Sequence, residues 1–339
     1  MARYLPIHGD ACTMGEMVGR ARARSEPANP HPNRRKGTPM NLIPCHTGMA
    51  PELASLYNVA IRDLPHCYPV SPEEFAITLS PTSEIDRNAA RLEEQVVLAA
   101  REGTTLIGLI HLGRARPNEQ GQPGPGVLRF FWYARGHRQT GVDLLAAADE
   151  QFQRWGARRV QAFHYDYHYP FYHVQHVHLS AYLDHVQALL GMAEYHPGGS
   201  QINLDWPNFE PVTPAPTTVP VEIALEWEAG RGIRPNLAVH AHQGDKEVGL
   251  CVCLSLGERS SAPEAQDWVY TVWLGVDEGS RVQGLGRHLL QRALQEMYGI
   301  GYRHATICTI GDNYRAYLLY SNNGYRAVDW TYTWERELR

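Results

Sequence analysis

The chain contains 339 residues, of which 43% are apolar and 20% are charged, proportions typical of a globular protein rather than a disordered or fibrous one. Lys and Arg number 31 against 36 Asp and Glu, and the net charge of −5 argues against a whole-chain electrostatic grip on nucleic acid or an anionic membrane. At about 150 residues per domain, the length favours two domains.

Residues 1–39 combine arginines with prolines and lack the apolar middle of a secretory signal, so they predict a basic, disordered tail. Alternatively, Met40 is the true start and the tail an extension. The sequence has no run of 18 apolar residues, so it predicts no membrane-spanning helix. The six cysteines form no CxxC pair and are too few for a disulfide framework, which favours reduced thiols and a cytoplasmic location.

The first half of the chain begins with two helical patterns and continues with strands. Apolar residues recur at helical spacing over 51–64, and Ser71-Pro72 is typical of a helix start. Alternating apolar and polar residues, with many β-branched ones, then predict a hairpin and a third strand. A Gly-containing loop, a helix and a further strand are predicted to follow. The predicted strands are 94–101, 104–112, 127–133 and 159–163.

The second half follows a segment with five prolines, 207–220, which predicts a semi-rigid linker. Its predicted elements repeat the earlier order of hairpin, strand, Gly loop, helix and strand. The loop glycines Gly141 and Gly284 lie 143 positions apart, which indicates a tandem duplication. The predicted strands of this half are 237–242, 248–256, 268–276 and 304–310.

Residues 276–287 form a Gly-rich turn between a strand and a helix. Glycines let backbone amides approach an anion, the helix start adds a positive dipole end, and Arg281 and Arg287 add charge. The segment lacks the Gly-Lys-Ser/Thr of a P-loop and the third glycine of a dinucleotide fingerprint. It therefore predicts a phosphate site of a different kind, with a plain turn as the alternative.

Within this turn, Arg281-Val282-Gln283-Gly284-Leu285-Gly286 resembles the pyrophosphate loop, Arg/Gln-x-x-Gly-x-Gly/Ala, of the GCN5-related N-acetyltransferase (GNAT) family. Downstream, Asn313 and then Leu319-Tyr320 followed by Gly324-Tyr325 resemble the family's Asn and Leu-Tyr-x-x-x-Gly-Phe/Tyr arrangement. The two elements stand in the family's order with a strand between them. The resemblance is strong over 237–326 and rests on element order in the first half.

The resemblance implies acetyl-CoA or another acyl-CoA as the coenzyme. It implies that Leu274 and Val276 pair with the pantetheine arm, that Asn313 contacts the pantetheine or orders the site, and that Tyr320 protonates the departing thiolate. A phenol stays protonated at neutral pH, which suits that role. Asn313 is equally suited to be only a helix N-cap. The residues implied to hold the pyrophosphate are Arg281, Val282, Gln283, Gly284, Leu285, Gly286 and Arg287.

The first copy is predicted to be degenerate. With Gly141 aligned to Gly284, Asp143 falls where close backbone approach to a pyrophosphate is needed and adds like charge. With Gly191 aligned to Gly324, Gln187 replaces Tyr320. We therefore expect the first copy to serve as scaffold and acceptor wall. The alternative is that both copies bind coenzyme.

The second copy is expected to be incomplete. Between Pro220 and Leu237 there is no room for the first strand and two helices of the family, and no strand carboxylate offers a general base, which leaves water or a distant His. The first half or a second subunit would then supply part of the acceptor wall. The His-rich and aromatic segment 163–178 is expected to be an interface or pocket rim; a metal site at His176 and His178 is the weaker alternative.

The sequence thus predicts an α/β protein of two tandem GNAT-like domains, each a mixed central β-sheet flanked by helices. The predicted regions are the tail 1–39, the degenerate domain 40–206, the linker 207–220 and the CoA-binding domain 221–339. The predicted activity is acetyl transfer from acetyl-CoA to the amine of a small molecule, with a homodimer as a possible assembly and no nucleic-acid or membrane partner. The alternative function is CoA binding in a regulatory or structural protein without turnover.

Overall fold

The computed structural model describes residues 40–80 and 86–338. The predicted tail at 1–39 and the alternative start lie outside the described residues, apart from Met40, which opens the first strand. We call residues 40–206 the first half and residues 207–338 the second half.

Among the described residues, six α-helices form where the sequence has apolar faces and helix-start signals. Ser71 accepts a hydrogen bond from the Glu74 amide, and Glu74 accepts one from the Ser71 amide, a capping box that confirms the predicted helix start. The helices are α1 (Ala50–Ile61), α2 (Pro72–Ala76), α3 (Arg138–Arg154), α4 (Asp184–Met192), α5 (Leu285–Gly299) and α6 (Tyr314–Asn322).

In the described part of the chain, thirteen strands form one mixed sheet. The hairpins predicted around Gly103 and Gly244 are confirmed, and both glycines have a φ of +60°, as tight hairpin turns require. The strands are β1 (Met40–Pro44), β2 (Leu92–Glu102), β3 (Thr105–Ala115), β4 (Gly126–Tyr133), β5 (Arg159–Ala162), β6 (Leu179–Ser180), β7 (His196–Trp206), β8 (Glu222–Glu228), β9 (Asn236–Gln243), β10 (Lys246–Ser255), β11 (Trp268–Val276), β12 (His304–Ile310) and β13 (Arg326–Glu337).

The sheet runs continuously from one half into the other, in the order β1-β2-β3-β4-β5-β13-β7-β12-β11-β10-β9-β8. The two halves exchange strands at its centre: β13 pairs with β5 and β7, and β7 pairs with β12. Within residues 40–80 and 86–338, only β4–β5 and β11–β12 are parallel pairs. Each half therefore completes its sheet with the last strand of the other.

The structure corrects the expectation that the second half lacks its first strand. Residues 222–228 form β8, which pairs with β9, so a strand does fit between Pro220 and Leu237. The two helices that precede β2 in the first half have no counterpart between β8 and β9. The single run after Gly324 suffices because β7 supplies the neighbouring strand.

Two hydrophobic cores lie against this sheet. In the first half, α1, α3 and α4 bury side chains such as Tyr57, Phe152 and Leu190 with the aromatic strand β4. In the second half, α5 packs Leu289, Leu290 and neighbouring residues onto β9–β12. No helix in the described part of the chain is long and apolar enough to cross a membrane.

The Pro-rich segment after β7 contacts α5 and the Gly-rich turn. The Ala215 amide donates to Gln291 Oε1 at 2.8 Å, and the Thr218 amide donates to the Gln283 carbonyl at 3.3 Å. His288 Nδ1 lies 2.8 Å from the Ala215 carbonyl oxygen. The segment therefore lies along the start of α5 and fixes one side of the Gly-rich turn.

Candidate functional site

The centre of the candidate site is the cleft between β11 and β12. These parallel strands pair only from Trp268 with His304 to Thr271 with Ile307, and β11 then continues to Val276 beside β10 alone. The far edge of β11 therefore offers backbone groups that no neighbouring strand occupies. Leu274 and Val276, predicted to line the coenzyme, lie on this edge and are half-buried.

A β-bulge lies where the two strands separate. Val252 on β10 faces Trp273, whereas its neighbour Cys253 faces Thr271, so Val272 is the extra residue on β11. A bulge leaves its residue outside the ladder and turns its backbone groups aside. The amides at Val272 and Trp273 are thereby available at the narrow end of the cleft.

The Gly-rich turn connects the open end of β11 to α5. Gly284 has a φ of +85° and Val282 a φ of +63°, both in the left-handed region, and Val282 is 94% exposed. The first three amides of α5, from Leu285 to Arg287, have no acceptor four residues earlier in the helix. Arg281 donates from Nε to the Val276 carbonyl at 3.1 Å, which folds the turn back onto the strand.

The remaining predicted turn residues have distinct surroundings. Gln283 donates from Nε2 to the Gly279 carbonyl and accepts through its own carbonyl from the Pro-rich segment. Gly286 lies near Val276, where an added Cβ would be 3.6 Å from a Val276 methyl group. Arg287 is exposed. The turn thus gathers two exposed arginines and unbonded helix-start amides on one rim of the cleft.

Asn313 caps α6. Its Oδ1 accepts a hydrogen bond from the Ala316 amide at 3.2 Å, the cap that the sequence offered as an alternative role. A contact between Asn313 and pantetheine stays a prediction. The cap sets where α6 begins, and so which residues of the helix face the sheet.

Tyr320 lies on the buried face of α6 and is 6% exposed. Burial raises the pKa of its phenol, and the neighbouring Cys251 on β10 and Cys308 on β12 raise it further. The hydroxyl is therefore close to the strands on both sides of β11 and stays protonated at neutral pH. This position places a proton donor beneath the cleft.

The opposite face of the cleft carries Tyr270, Cys308 and a residue of the first half. The Tyr270 hydroxyl lies 3.1 Å from Cys308 Sγ and 3.4 Å from His176 Nδ1. Burial lowers the pKa of His176, and Arg259 lowers it further, which leaves the imidazole neutral at neutral pH. Val174 and Val177 pack beside Tyr270, so this segment of the first half covers the cleft.

Comparison with known proteins agrees with this geometry. Residues 200–325 match the family model described as "Acetyltransferase (GNAT) family". The matched range contains the turn, the cleft, Asn313 and Tyr320. This part of the chain is a GNAT domain.

Solved structures show that the likeness extends over the whole fold. The tandem GNAT protein from the clavulanic acid biosynthesis pathway is 12% identical, with a TM-score of 0.63 over 88% of this chain and 98% of that one. A GNAT from Sphaerobacter thermophilus is 15% identical, with a TM-score of 0.58 over 89% and 97%. The chain therefore has the fold of tandem GNAT proteins, and the predicted fold class is confirmed.

The first half has a β-bulge at the equivalent position, but a different residue occupies it. His111 on β3 faces Phe130 and Leu112 faces Leu128, so Arg129 is the extra residue on β4, where the GNAT domain has Val272. Arg129 is 1% exposed and donates to both carboxylate oxygens of Asp86, at 2.8 and 3.1 Å. It also donates to the Tyr167 carbonyl. A buried ion pair thus fills the space beside this bulge.

The loop of the first half also differs from its predicted form. Only residues 134–137 connect β4 to α3, so Gly141 lies inside the helix, where an added Cβ would meet Leu189 and Tyr133 within 2.8 Å. The expectation that Asp143 stands at an anion seat is therefore wrong, because Asp143 is in the second turn of α3 and accepts from Gln139. A shorter loop, rather than a misplaced carboxylate, distinguishes the two halves.

The helix alignment of the first half is wrong by three residues. Tyr195 donates from its amide to the Leu190 carbonyl, as Tyr325 does to Tyr320, and Glu194 has the positive φ found at Gly324. Leu190, and not Gln187, therefore stands in the place of Tyr320. Leucine has no hydroxyl, so the expected loss of the acid group holds with a different residue.

Sequence reasoning missed Tyr270, Cys308 and the bulge at Val272. The segment 163–178 was expected at a pocket rim, and its contact with Tyr270 agrees with that interpretation. It contains no strand, so His176 and His178 do not alternate on a strand face as the metal hypothesis required. Tyr270 gave no signal of its own, because an aromatic residue inside a strand usually serves the core.

Proposed function

We propose that the protein is an acyl-CoA-dependent N-acetyltransferase whose second half carries the active site and transfers an acetyl group to the amine of a small molecule. The observation that carries this proposal is the contrast at the two bulges. In the second half β11 separates from β12 at the Val272 bulge and leads to the Gly-rich turn, whereas in the first half the Arg129–Asp86 ion pair lies buried at the equivalent bulge.

Acetyl-CoA fits the donor set of the turn. Backbone amides at a helix start and exposed guanidinium groups suit a pyrophosphate. Gly284, with a φ of +85°, has no side chain to keep the pyrophosphate from the backbone. The residues that would hold the pyrophosphate are Arg281, Val282, Gln283, Gly284, Leu285, Gly286 and Arg287. Leu274 and Val276 would pair with the pantetheine through the free edge of β11.

When bound, acetyl-CoA supplies an activated thioester. The amides at the Val272 bulge are placed to donate to the carbonyl oxygen as negative charge develops there. Tyr320 holds a proton on its phenol oxygen for the departing sulfur, because burial keeps its pKa above the ordinary value. Asn313 positions Tyr320 by fixing the start of α6.

On the acceptor side, His176 is our candidate for the proton acceptor that the strand lacks. Its lowered pKa leaves a nitrogen lone pair free at neutral pH, and it reaches the cleft through Tyr270. We expect the amine to give its proton to His176 as its nitrogen bonds to the acetyl carbon, and the sulfur, released as its bond to that carbon breaks, to take the phenol proton of Tyr320. The charges of both steps are thereby balanced within the site.

The acceptor is proposed to be small because the first half packs Val174, Val177 and Tyr68 against the face of the cleft. This contact favours a confined molecule over an extended peptide, and makes the first half part of the acceptor wall. The five described cysteines are free thiols, which suits a reducing compartment such as the cytoplasm.

The test is consumption of acetyl-CoA by the full chain across a panel of amines: amino acids, polyamines, amino sugars and aminoglycosides. Calorimetric titration with CoA is run in parallel. We expect CoA binding together with amine-dependent release of free thiol. Gly284→Glu places a carboxylate and a strained backbone in the turn and is expected to abolish both.

Two results would contradict the proposal. Equal turnover by Gly284→Glu would show that the turn does not hold the coenzyme. CoA binding without thiol release for any amine would favour the second candidate, a CoA-binding regulatory protein, for which the absence of a carboxylate on β11 is the supporting observation.

A further inference from the structure

Two histidines lie on the outer face of the sheet in the second half, away from the cleft. His240 and His242 alternate along β9, and their rings are stacked with centroids 6.0 Å apart. β8 and β10 flank β9, and each brings a glutamate to the same place, Glu226 and Glu247. Ligand atoms of His240, His242 and Glu247 all lie within 4.8 Å of one another.

His240 lies between the two carboxylates. Its Nδ1 is 2.6 Å from Glu247 Oε2, and its Nε2 is 3.3 Å from Glu226 Oε2. Ionised carboxylates only accept hydrogen bonds, so both contacts are hydrogen bonds only when the ring carries two protons. Even then, one positive charge faces two negative ones. The cluster therefore has a surplus of negative charge and of electron-pair donors.

We propose that His240, His242 and Glu247 form a binding site for a divalent zinc ion. Imidazole nitrogen with one carboxylate is a donor set that zinc accepts, whereas calcium and magnesium prefer oxygen alone. Three protein ligands leave the fourth tetrahedral position to water. The ligand atoms need to close to a separation of about 3.4 Å, which follows from metal–ligand distances near 2.1 Å.

Glu226 completes the arrangement as an outer partner. With the metal on Nδ1 of His240, the ring keeps its proton on Nε2 and donates it to Glu226, which fixes the ring orientation. Glu247 would then bind the metal, while Glu226 would orient the His240 ring. This pairing of a ligating histidine with an outer carboxylate is the common form of such sites.

The metal would connect three strands at the edge of the sheet. β8 is the last strand and pairs only with β9 in the described part of the chain. Ligands on β9 and β10, with Glu226 on β8, tie this edge to the interior of the sheet. The site lies apart from the cleft and does not depend on the proposed acetyltransferase activity.

The test is calorimetric titration of the metal-free full chain with zinc chloride. We expect one site that disappears in the double variant His240→Asn/His242→Asn, while the exposed-histidine control His196→Asn keeps it. Glu226→Gln is expected to weaken the affinity about tenfold as an outer-shell change. Glu228→Gln, an exposed residue on the same strand that lies opposite Asn236, is its matched control and should leave the affinity unchanged.

Crystals grown with one equivalent of zinc give the location by anomalous scattering. A peak between His240, His242 and Glu247 supports the proposal. A titration that the double variant leaves unchanged, a peak elsewhere, or no binding by the wild type each overturns it and leaves an ion-pair cluster. Should the double variant misfold by circular dichroism, His242→Asn alone decides the question, because its ring has no ion-pair partner among the described residues.

Discussion

The two halves of the molecule build the same β-bulge and use it in opposite ways. At Arg129 the bulge directs a guanidinium into the interior, where Asp86 neutralises it; at Val272 it borders an open cleft. The first half also connects its strand and helix by a short loop, with Gly141 packed inside the helix. The contrast teaches that a duplicated scaffold keeps its backbone geometry while one copy places a buried ion pair at its bulge.

The largest expected effect is at Tyr320. Tyr320→Phe removes the proton donor that has no equivalent in the first half and is expected to lower kcat about 10²–10⁴-fold with CoA affinity unchanged. The measurement is steady-state thiol release with the best amine of the panel. Tyr314→Phe, an exposed tyrosine on the same helix, is the matched control. An unchanged kcat for Tyr320→Phe contradicts the assignment.

The next effect concerns the buried pair of the first half. Arg129→Met removes the guanidinium that pairs with the buried Asp86 carboxylate, which is expected to cost about 3–5 kcal/mol of unfolding free energy. Urea unfolding followed by fluorescence measures it. Arg91→Met breaks an exposed pair with Asp166 and should cost less than about 1 kcal/mol. Similar losses for both variants would refute a special role for the buried pair.

A pair of glycine substitutions tests the two loops against each other. Gly141→Ala adds a methyl group against Leu189 and Tyr133 and is expected to cost about 1–3 kcal/mol of stability without changing CoA affinity. Gly284→Ala, at φ +85°, is expected to weaken CoA binding about tenfold, or about 1.4 kcal/mol. If Gly141→Ala weakened CoA binding as strongly, the first half would be a second coenzyme site.

The smallest effect per group is the dependence of stability on pH. Burial lowers the pKa of His111 and His168, and lowers the pKa of His178 to about 3, so all three are neutral in the folded first half. The unfolded chain binds protons below about pH 6.5, so stability falls as pH decreases, by up to about 1.4 kcal/mol per histidine and pH unit.

Hydrogen exchange at pH 7.5 and 5.5 locates this loss. We expect amides around β3 and the segment 163–178 to lose protection before those of α5 and β12. If amides in both halves lost protection equally, the prediction that the buried histidines of the first half cause the loss of stability would be wrong.

Local pattern determined much of this protein. Helical spacing placed α1 and α5, the capping box fixed the start of α2, and glycines marked the hairpins, because each signal acts over a few residues. The turn at 281–287 was predicted as an anion site from its glycines and arginines, and Tyr320 was predicted from the resemblance of a short motif to the GNAT family. Their combined role in transfer remains a prediction.

Long-range pairing decided the rest. The exchange of β7 and β13, the position of His176 beside Tyr270, and the Arg129–Asp86 pair join residues far apart in sequence. Spacing along the chain carries no record of such contacts, because many partners suit one strand edge or one buried charge. Competition among those partners is settled only when the whole sheet packs, so tertiary structure alone decided that the first half buries an ion pair at its bulge.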